Sequence, residues 1–385
     1  MTRVLLPRAD GSIVERELSP ARDWRRPEAP ARSRIAFAAA HVVPRVGAEN
    51  VPGAPADLDW EATLAFRERL WSFGLGVAEA MDTAQRGMGL DWAATQELVA
   101  RSAARAREVS GRIAAGAGTD HLAPGADLEA VLAGYLEQVE MVESAGAQVI
   151  LMASRHLAAA AQGPEDYLRV YSQVLGQVSG PVILHWLGEA FDPALAGYWG
   201  SRELDAATET VLELIRSHAD RVDGIKVSLL DAERERDIRA ALPAGVRLYT
   251  GDDFNYPELI AGDGEAHSDA LLGIFAAIAP AASAGLAALD EGDLARFHEV
   301  LDPTVPLARH IFGAPTFYYK TGIAFLAWLD GLQPGLAMVG GLHAARSVVH
   351  LGRTLELADE AGLLADPELA AHRWGALAAT YGVGQ

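Results

Sequence analysis

The sequence predicts a closed (β/α)₈ barrel, an α/β fold, with an N-terminal hairpin and a C-terminal helical extension. Three observations carry this. Eight short apolar runs recur between residues 34 and 279. Stretches of helical length and pattern separate them, as in β-then-α units repeated around a parallel sheet. No Gly-x-Gly-x-x-Gly follows the first run, which argues against an open dinucleotide-binding sheet.

The elements follow in chain order. Arg3 to Leu6 and Ile13 to Leu18 flank an Asp10-Gly11 turn, the pattern of a β-hairpin. Residues 19–33, rich in Pro, Arg and Ala, read as a linker. The strand runs are 34–43, 73–81, 112–118, 147–153, 180–186, 222–228, 246–252 and 270–279, with helical stretches such as 91–110, 127–144 and 165–177 between them. Beyond the eighth run the chain reads as helical, punctuated by Gly and Pro. The expected organisation is a hairpin and linker to residue 33, a catalytic barrel over 34–290 and a helical domain over 291–385. A length of 385 residues suits a barrel of about 250 residues with such an addition.

Composition narrows the class. Lys and Arg number 32 against 52 Asp and Glu, a net charge of −20. A surface of that sign repels phosphate backbones and anionic headgroups, so neither nucleic acid nor a membrane surface is an expected partner. There is no cysteine, which removes disulfides, thiolate metal sites and cysteine nucleophiles. The N-terminus lacks the apolar run of a signal peptide. Residues 271–289 carry no charge but are interrupted by Pro280, Ser283 and Gly285, so a buried strand running into a helix fits better than a membrane span. A cytoplasmic protein that forms a homo-oligomer, dimer or tetramer, is expected.

Active sites of such barrels lie at the C-terminal ends of the strands. Lys226 interrupts an apolar strand there, between Ile225 and Val227. Desolvation lowers a lysine pKa from about 10.4 toward neutrality. The neutral amine then forms an imine with a ketone or aldehyde. The alternative is a lysine paired with a carboxylate, or one whose head reaches solvent at the strand end. His185 ends the fifth run and is a candidate proton shuttle, because histidine titrates near neutrality. Asp82 could orient a substrate hydroxyl or take its proton. Arg86 and Arg155 are candidate anion anchors, since guanidinium pairs bidentately with carboxylate and phosphate. Lys320, beyond the eighth run, reads as a packing or interface residue.

From about residue 34 to 330 the sequence resembles the dihydrodipicolinate synthase / N-acetylneuraminate lyase family of class I aldolases. Gly224-Ile225-Lys226 resembles the segment that carries the family's Schiff-base lysine. Leu248 to Asp253 resembles the strand that ends in Ser-Gly-Asp-Asp. Ala115 to Thr119 resembles the third-strand Ala-Gly-x-Gly segment, and Pro181 to Leu184 the fifth strand. The resemblance implies Lys226 as nucleophile, with no cofactor and no metal. It adds Thr83, the one match to the family's Gly-Thr-Thr-Gly-Glu loop, as a substrate-binding candidate. Asp252 joins the candidates at the mouth, in a segment whose family role is largely structural.

The chain also departs from the pattern. His185 stands where the family has a catalytic tyrosine, Ala153 to His156 replace Thr-Pro-Tyr-Tyr, and Gly188 and Glu189 stand where the family carries an arginine. The family's carboxylate pocket is therefore not carried over. The expected activity is a lyase acting on a small 2-oxo acid or keto-sugar derivative. Two other readings are a metal-dependent barrel, using Asp82, His121, His156, His185 and Asp252, and a non-catalytic sugar-binding barrel.

Overall fold

The computed structural model describes residues 2–384. Eight parallel strands close into a barrel: β3 (Ala36–Ala39), β4 (Gly76–Glu79), β5 (Ile113–Ala117), β6 (Gln148–Leu151), β7 (Val182–Leu187), β8 (Val222–Ser228), β9 (Arg247–Thr250) and β10 (Asp269–Leu272). Each overlaps a predicted run. Closure is made by β10, whose Ala270, Leu271 and Leu272 lie in register with Ala36, Phe37 and Ala38. The last run differs in kind. Its strand ends at Leu272, and the rest forms a short 3₁₀ turn and the start of a helix at Ala279. An uninterrupted apolar run does not distinguish strand from buried helix. No helix among the described residues is long and apolar enough to cross a membrane.

The connecting helices are α1 (Trp60–Ser72), α2 (Trp92–Val109), α3 (Leu128–Ala145), the short α4 (Arg155–Ala160), α5 (Pro164–Leu175), α6 (Leu204–Ser217), α7 (Ala232–Ala241), α8 (Tyr256–Ala261) and α9 (Ala279–Asp290). Four of them start alike. The carboxylates of Asp59, Asp91, Asp127 and Asp231 accept from the backbone N–H groups of Ala62, Ala94, Ala130 and Arg234, satisfying one of the donors a helix start leaves open.

Strand alternation sorts the core into two parts. Phe37, Ala39, Ala78, Ala114, Ile150, Ile183, Tyr249 and Leu271 fill the barrel interior. Their neighbours on each strand, such as Val77, Val149, Leu184 and Ile225, pack outward under the helices. Glu79 belongs to the outward set. It meets Arg67 of α1 in a fully buried bidentate pair, with both N–O distances 2.8 Å. The remaining guanidinium nitrogen donates to the carbonyl oxygens of Thr63 and His41. The pair ties α1 to the ends of β3 and β4.

The chain ends in α10 (Leu294–Leu301), α11 (Val305–Ile311), α12 (Tyr319–Leu329), α13 (Val348–Glu360) and α14 (Pro367–Thr380). The hairpin, β1 (Arg3–Pro7) with β2 (Ile13–Glu17), forms a separate antiparallel sheet that packs on α13 and α14. Arg8 pairs with Glu356 at 2.7 Å, Arg16 with Asp359 at 2.8 Å, and Trp374 Nε1 donates to the Leu5 carbonyl at 2.8 Å.

Two stability predictions follow from buried charge. Glu79→Ala strands the Arg67 guanidinium without its carboxylate and is expected to cost about 3–5 kcal/mol, read by urea unfolding. Glu235 of α7 is buried and accepts from the hydroxyls of Thr250 and Ser268 at 2.9 and 2.8 Å. Burial pushes its pKa from 4.5 up to about 8. Within that window the folded chain holds a proton the unfolded chain releases, so this group's contribution to stability falls as pH rises. Glu235→Gln is therefore expected to flatten the decline in melting temperature between pH 5 and 8; an unchanged slope would refute the assignment.

Candidate active site

The same alternation that builds the interior turns Gly224, Lys226 and Ser228 of β8 inward, with Ile225 and Val227 facing the helices. Lys226 is 8 % exposed. Among the described residues its Nζ makes no hydrogen bond and has no carboxylate oxygen within ion-pair distance. Burial lowers its pKa; the negative charges of Asp253 and Asp82 act in the opposite direction. Room for the side chain comes from Gly251 at the end of β9. A Cβ there would press on Ser228 Oγ and lie 2.8 Å from Lys226 Cε.

His185 lies directly beside Lys226 in the β7–β8 register. Its Nε2 faces Ser228 Oγ at 3.3 Å, and Nδ1 is buried without a partner. Burial, then the neighbouring Lys226, push its pKa well below the ordinary value. The expectation that it titrates near neutrality is thus corrected. Held away from water beside an amine, His185 is a neutral imidazole at physiological pH.

Asp82 opens the 3₁₀ turn Asp82–Ala84 that follows β4, and is half-buried at the mouth. Thr83, beside it, shares a 2.7 Å hydrogen bond with the hydroxyl of Tyr319. Tyr319 is the first residue of α12, and its ring stacks on Phe312 with centroids 4.3 Å apart. Burial, then the charge of Asp82, raise its pKa well above 10, so the phenol keeps its proton. The next residue, Lys320, is 2 % exposed and feels the charges of Asp82, Arg155 and Asp192. Its ammonium packs against Met88, Phe317 and Tyr319, in keeping with the expected packing role, and lies near the mouth. Neither Tyr319 nor Lys320 was a site candidate from sequence, since both lie on a helix about 50 residues beyond the last strand.

A cavity of about 280 Å³ is bounded by Asp82, Thr119, Ser154, Arg155, His185 and Asp192 among others; Lys226, Tyr319 and Lys320 lie behind this lining, with His185 and Asp82 between the cavity and the amine's neighbourhood. The two arginine candidates differ. Arg86 is spent on protein groups: Asp120, the Gly116 carbonyl at 2.8 Å and Gln138 at 2.7 Å take its donors. It shapes the wall and has no open edge for an anion. Arg155, at the start of α4, gives only its Nε, to Asp192. Asp252 is also committed, accepting from the backbone of Phe254 and Asn255 and from the Asn255 amide within its own loop. Its neighbour Asp253 is the carboxylate that acts on Lys226, while accepting from the Ile274 N–H at 2.8 Å.

The proposed metal set does not converge. Among the described residues no group of three or more His, Asp or Glu side chains could share an ion. His121 is turned to Gln138 and Glu137, and His156 to Thr119.

The closed parallel (β/α)₈ barrel is a class of fold shared with several solved structures. YagE, a prophage protein of the dihydrodipicolinic acid synthase family from E. coli K12 solved in complex with pyruvate, superposes with a TM-score of 0.67 at 14 % identity, over 86 % of this chain and 99 % of that one. Dihydrodipicolinate synthase from Thermotoga maritima gives 0.65 at 16 % identity, over 86 % of this chain and 100 % of that one. The enzyme from Aquifex aeolicus gives 0.64 at 13 %, over 86 % and 99 %. These likenesses establish the fold. No curated protein matches the chain. Residues 4–383 match the family described as "Protein of unknown function (DUF993)", and the chain belongs to that family.

Gly251→Ala tests the site's packing. The added methyl has to displace Ser228 or Lys226, so a loss of about 1–3 kcal/mol in unfolding free energy is expected. Wild-type stability would mean that Lys226 is not held against Gly251.

Proposed function

We propose that the chain is a carbon–carbon lyase of the class I aldolase type, acting on a small 2-oxo acid or keto-sugar derivative through an imine at Lys226. The observation that carries this reading is a buried amine without an ion-pair partner, facing a neutral histidine at the C-terminal mouth of a parallel barrel. Fold likeness to aldolase-type barrels, one of them solved with pyruvate, supports it as analogy.

The chemistry runs from the amine. Neutral Lys226 adds to the substrate carbonyl to give a carbinolamine. Water leaves once its oxygen is protonated, and the product is a protonated imine. The Thr83–Tyr319 pair, whose phenol keeps its proton, hydrogen-bonds the departing oxygen, and the proton itself comes from solvent through the mouth. The iminium charge sits in the negative field of Asp82, joined by Asp253 in its ionised form; burial raises the Asp253 pKa to about 7. A base then takes the proton of a hydroxyl on the substrate. The carbon–carbon bond breaks, its electrons pass into the iminium, and an enamine remains. His185, neutral and with Nδ1 unpartnered, is the base closest in register to Lys226. Asp82 is positioned to orient the hydroxyl. No cofactor enters this sequence, because the protonated imine is itself the electron sink.

Incubation with a pool of 2-oxo acids and keto-sugars plus sodium borohydride should leave a reduced adduct mapped to Lys226 by intact and peptide mass. Lys226→Ala and Lys226→Arg should both abolish it, since guanidinium does not give a neutral nucleophile. On a substrate so identified, His185→Ala should slow turnover by about 10²–10⁴-fold. Full turnover by Lys226→Ala would end the imine reading. A chelator should leave trapping unchanged.

A further inference from the structure

Of the 32 basic Lys and Arg side chains in this chain, two are lysines, Lys226 and Lys320, and every other is arginine. Both lysines are buried, and both feel the charge of Asp82. The chain thus reserves its amines for one enclosure and uses guanidinium everywhere else. The reading above uses Lys226. Lys320 is left without a task.

Its surroundings suit no purely structural lysine. Among the described residues it has no carboxylate within ion-pair distance, and its Nζ donates to a single acceptor, the thioether of Met88, at 2.8 Å. The faces of Phe317 and Tyr319 lie 5.2 and 5.0 Å away. Thioether sulfur is a weak acceptor, so an ammonium with three donors is under-satisfied there. Arg155 also has free donors, though its side chain is partly open to solvent. Its Nε is held by Asp192, while Nη1 and Nη2 have no acceptor among the described residues. One dipeptide joins the two cations. A Cβ on Gly87 would lie 2.6 Å from Arg155 Nη1, and the adjacent Met88 carries the sulfur on Lys320. Burial and the charge of Arg155 lower the basicity of Lys320, and Asp82 and Asp192 raise it. Arg155 and Gly87 stand at the cavity wall, and Lys320 lies behind Met88, the residue next to Gly87. Two neighbouring cations with open donors, once Met88 moves aside, meet the requirement for an oxyanion.

We infer that Arg155 and Lys320, on either side of Gly87-Met88, form an anion subsite that holds a carboxylate or phosphate at the end of the substrate away from its carbonyl. Met88, partly exposed and with three rotatable side-chain bonds, swings off the ammonium as the anion arrives. The assignment of this anion to a substrate rests on the imine reading. It narrows the substrate class to 2-oxo acids or keto-sugars with a second, distal anionic group.

Titration calorimetry with inorganic phosphate and with glutarate separates the two ligand chemistries. One of them is expected to bind saturably, at one site per chain. Lys320→Met and Arg155→Met should each weaken it more than tenfold, the scale of a lost charged hydrogen bond. A second measurement needs no variant. With only two lysines, acetylation by dilute acetic anhydride is read at each by peptide mass, and the saturating anion should slow labelling of Lys320 at least fivefold while the N-terminal amine stays within twofold. No saturable binding of either probe, or binding that leaves Lys320 unprotected, overturns the subsite. A borohydride adduct at Lys226 without anion binding leaves the imine reading standing and removes the subsite. Anion binding without an adduct from any 2-oxo acid does the reverse.

Discussion

The arrangement rests on one constraint: an amine turned into the interior of a closed parallel barrel has no route to water except the barrel's mouth. Strand pairing on both sides of β8 fixes the side on which Lys226 lies, because a shift of one residue would put Ile225 inside and the lysine among the helix-packed leucines and valines. Everything around it answers that placement. Gly251 gives up a side chain to make room, Asp253 and Asp82 supply negative field without touching the amine, and His185 is driven neutral beside it. A salt bridge would have stabilised the ammonium and removed the nucleophile. Field without contact is what the proposed imine chemistry requires: an amine free of an ion pair, in surroundings that favour positive charge.

The mouth is completed from outside the barrel. The C-terminal chain returns over the strand ends, and the first turn of α12 places Tyr319 on Thr83 and Lys320 behind Met88. That helix is held by its own aromatic packing, Tyr319 on Phe312 and edge-on to Phe191. At the other end of the structure the N-terminal hairpin locks α13 and α14 through the Arg8, Arg16 and Trp374 contacts. The extension therefore contributes polar groups to the barrel's mouth as well as apolar surface to the core.

The barrel was legible because its signals are local. Apolar runs of strand length and helical stretches between them each reflect a rule that acts within a few residues. Lys226 was legible for a related reason: a lysine inside an apolar run is anomalous on its own strand, and the Gly-Ile-Lys and Gly-Asp-Asp segments resemble those of a known family. The same local view does not show what Arg86 and Asp252 bind. From sequence Arg86 is a candidate anion anchor and Asp252 a mouth residue in a segment of largely structural role. In the folded chain Arg86 is consumed by Asp120, Gln138 and a carbonyl from β5, and Asp252 caps its own loop.

The sequence by itself determined the fold class, the order of the strands and the lysine at the sixth of them, since these depend on periodicity and composition over short windows. Only the tertiary structure decided which polar groups share the mouth. Thr83 and Tyr319 lie 236 positions apart, and Lys320 and Met88 lie 232 apart. No short-range pattern records such a pairing, because it is set by where the barrel closes and how the last helices fold back across it. The neutral state of His185 was hidden for the same reason: a pKa is fixed by burial and neighbouring charge, and both exist only once the chain has closed on itself.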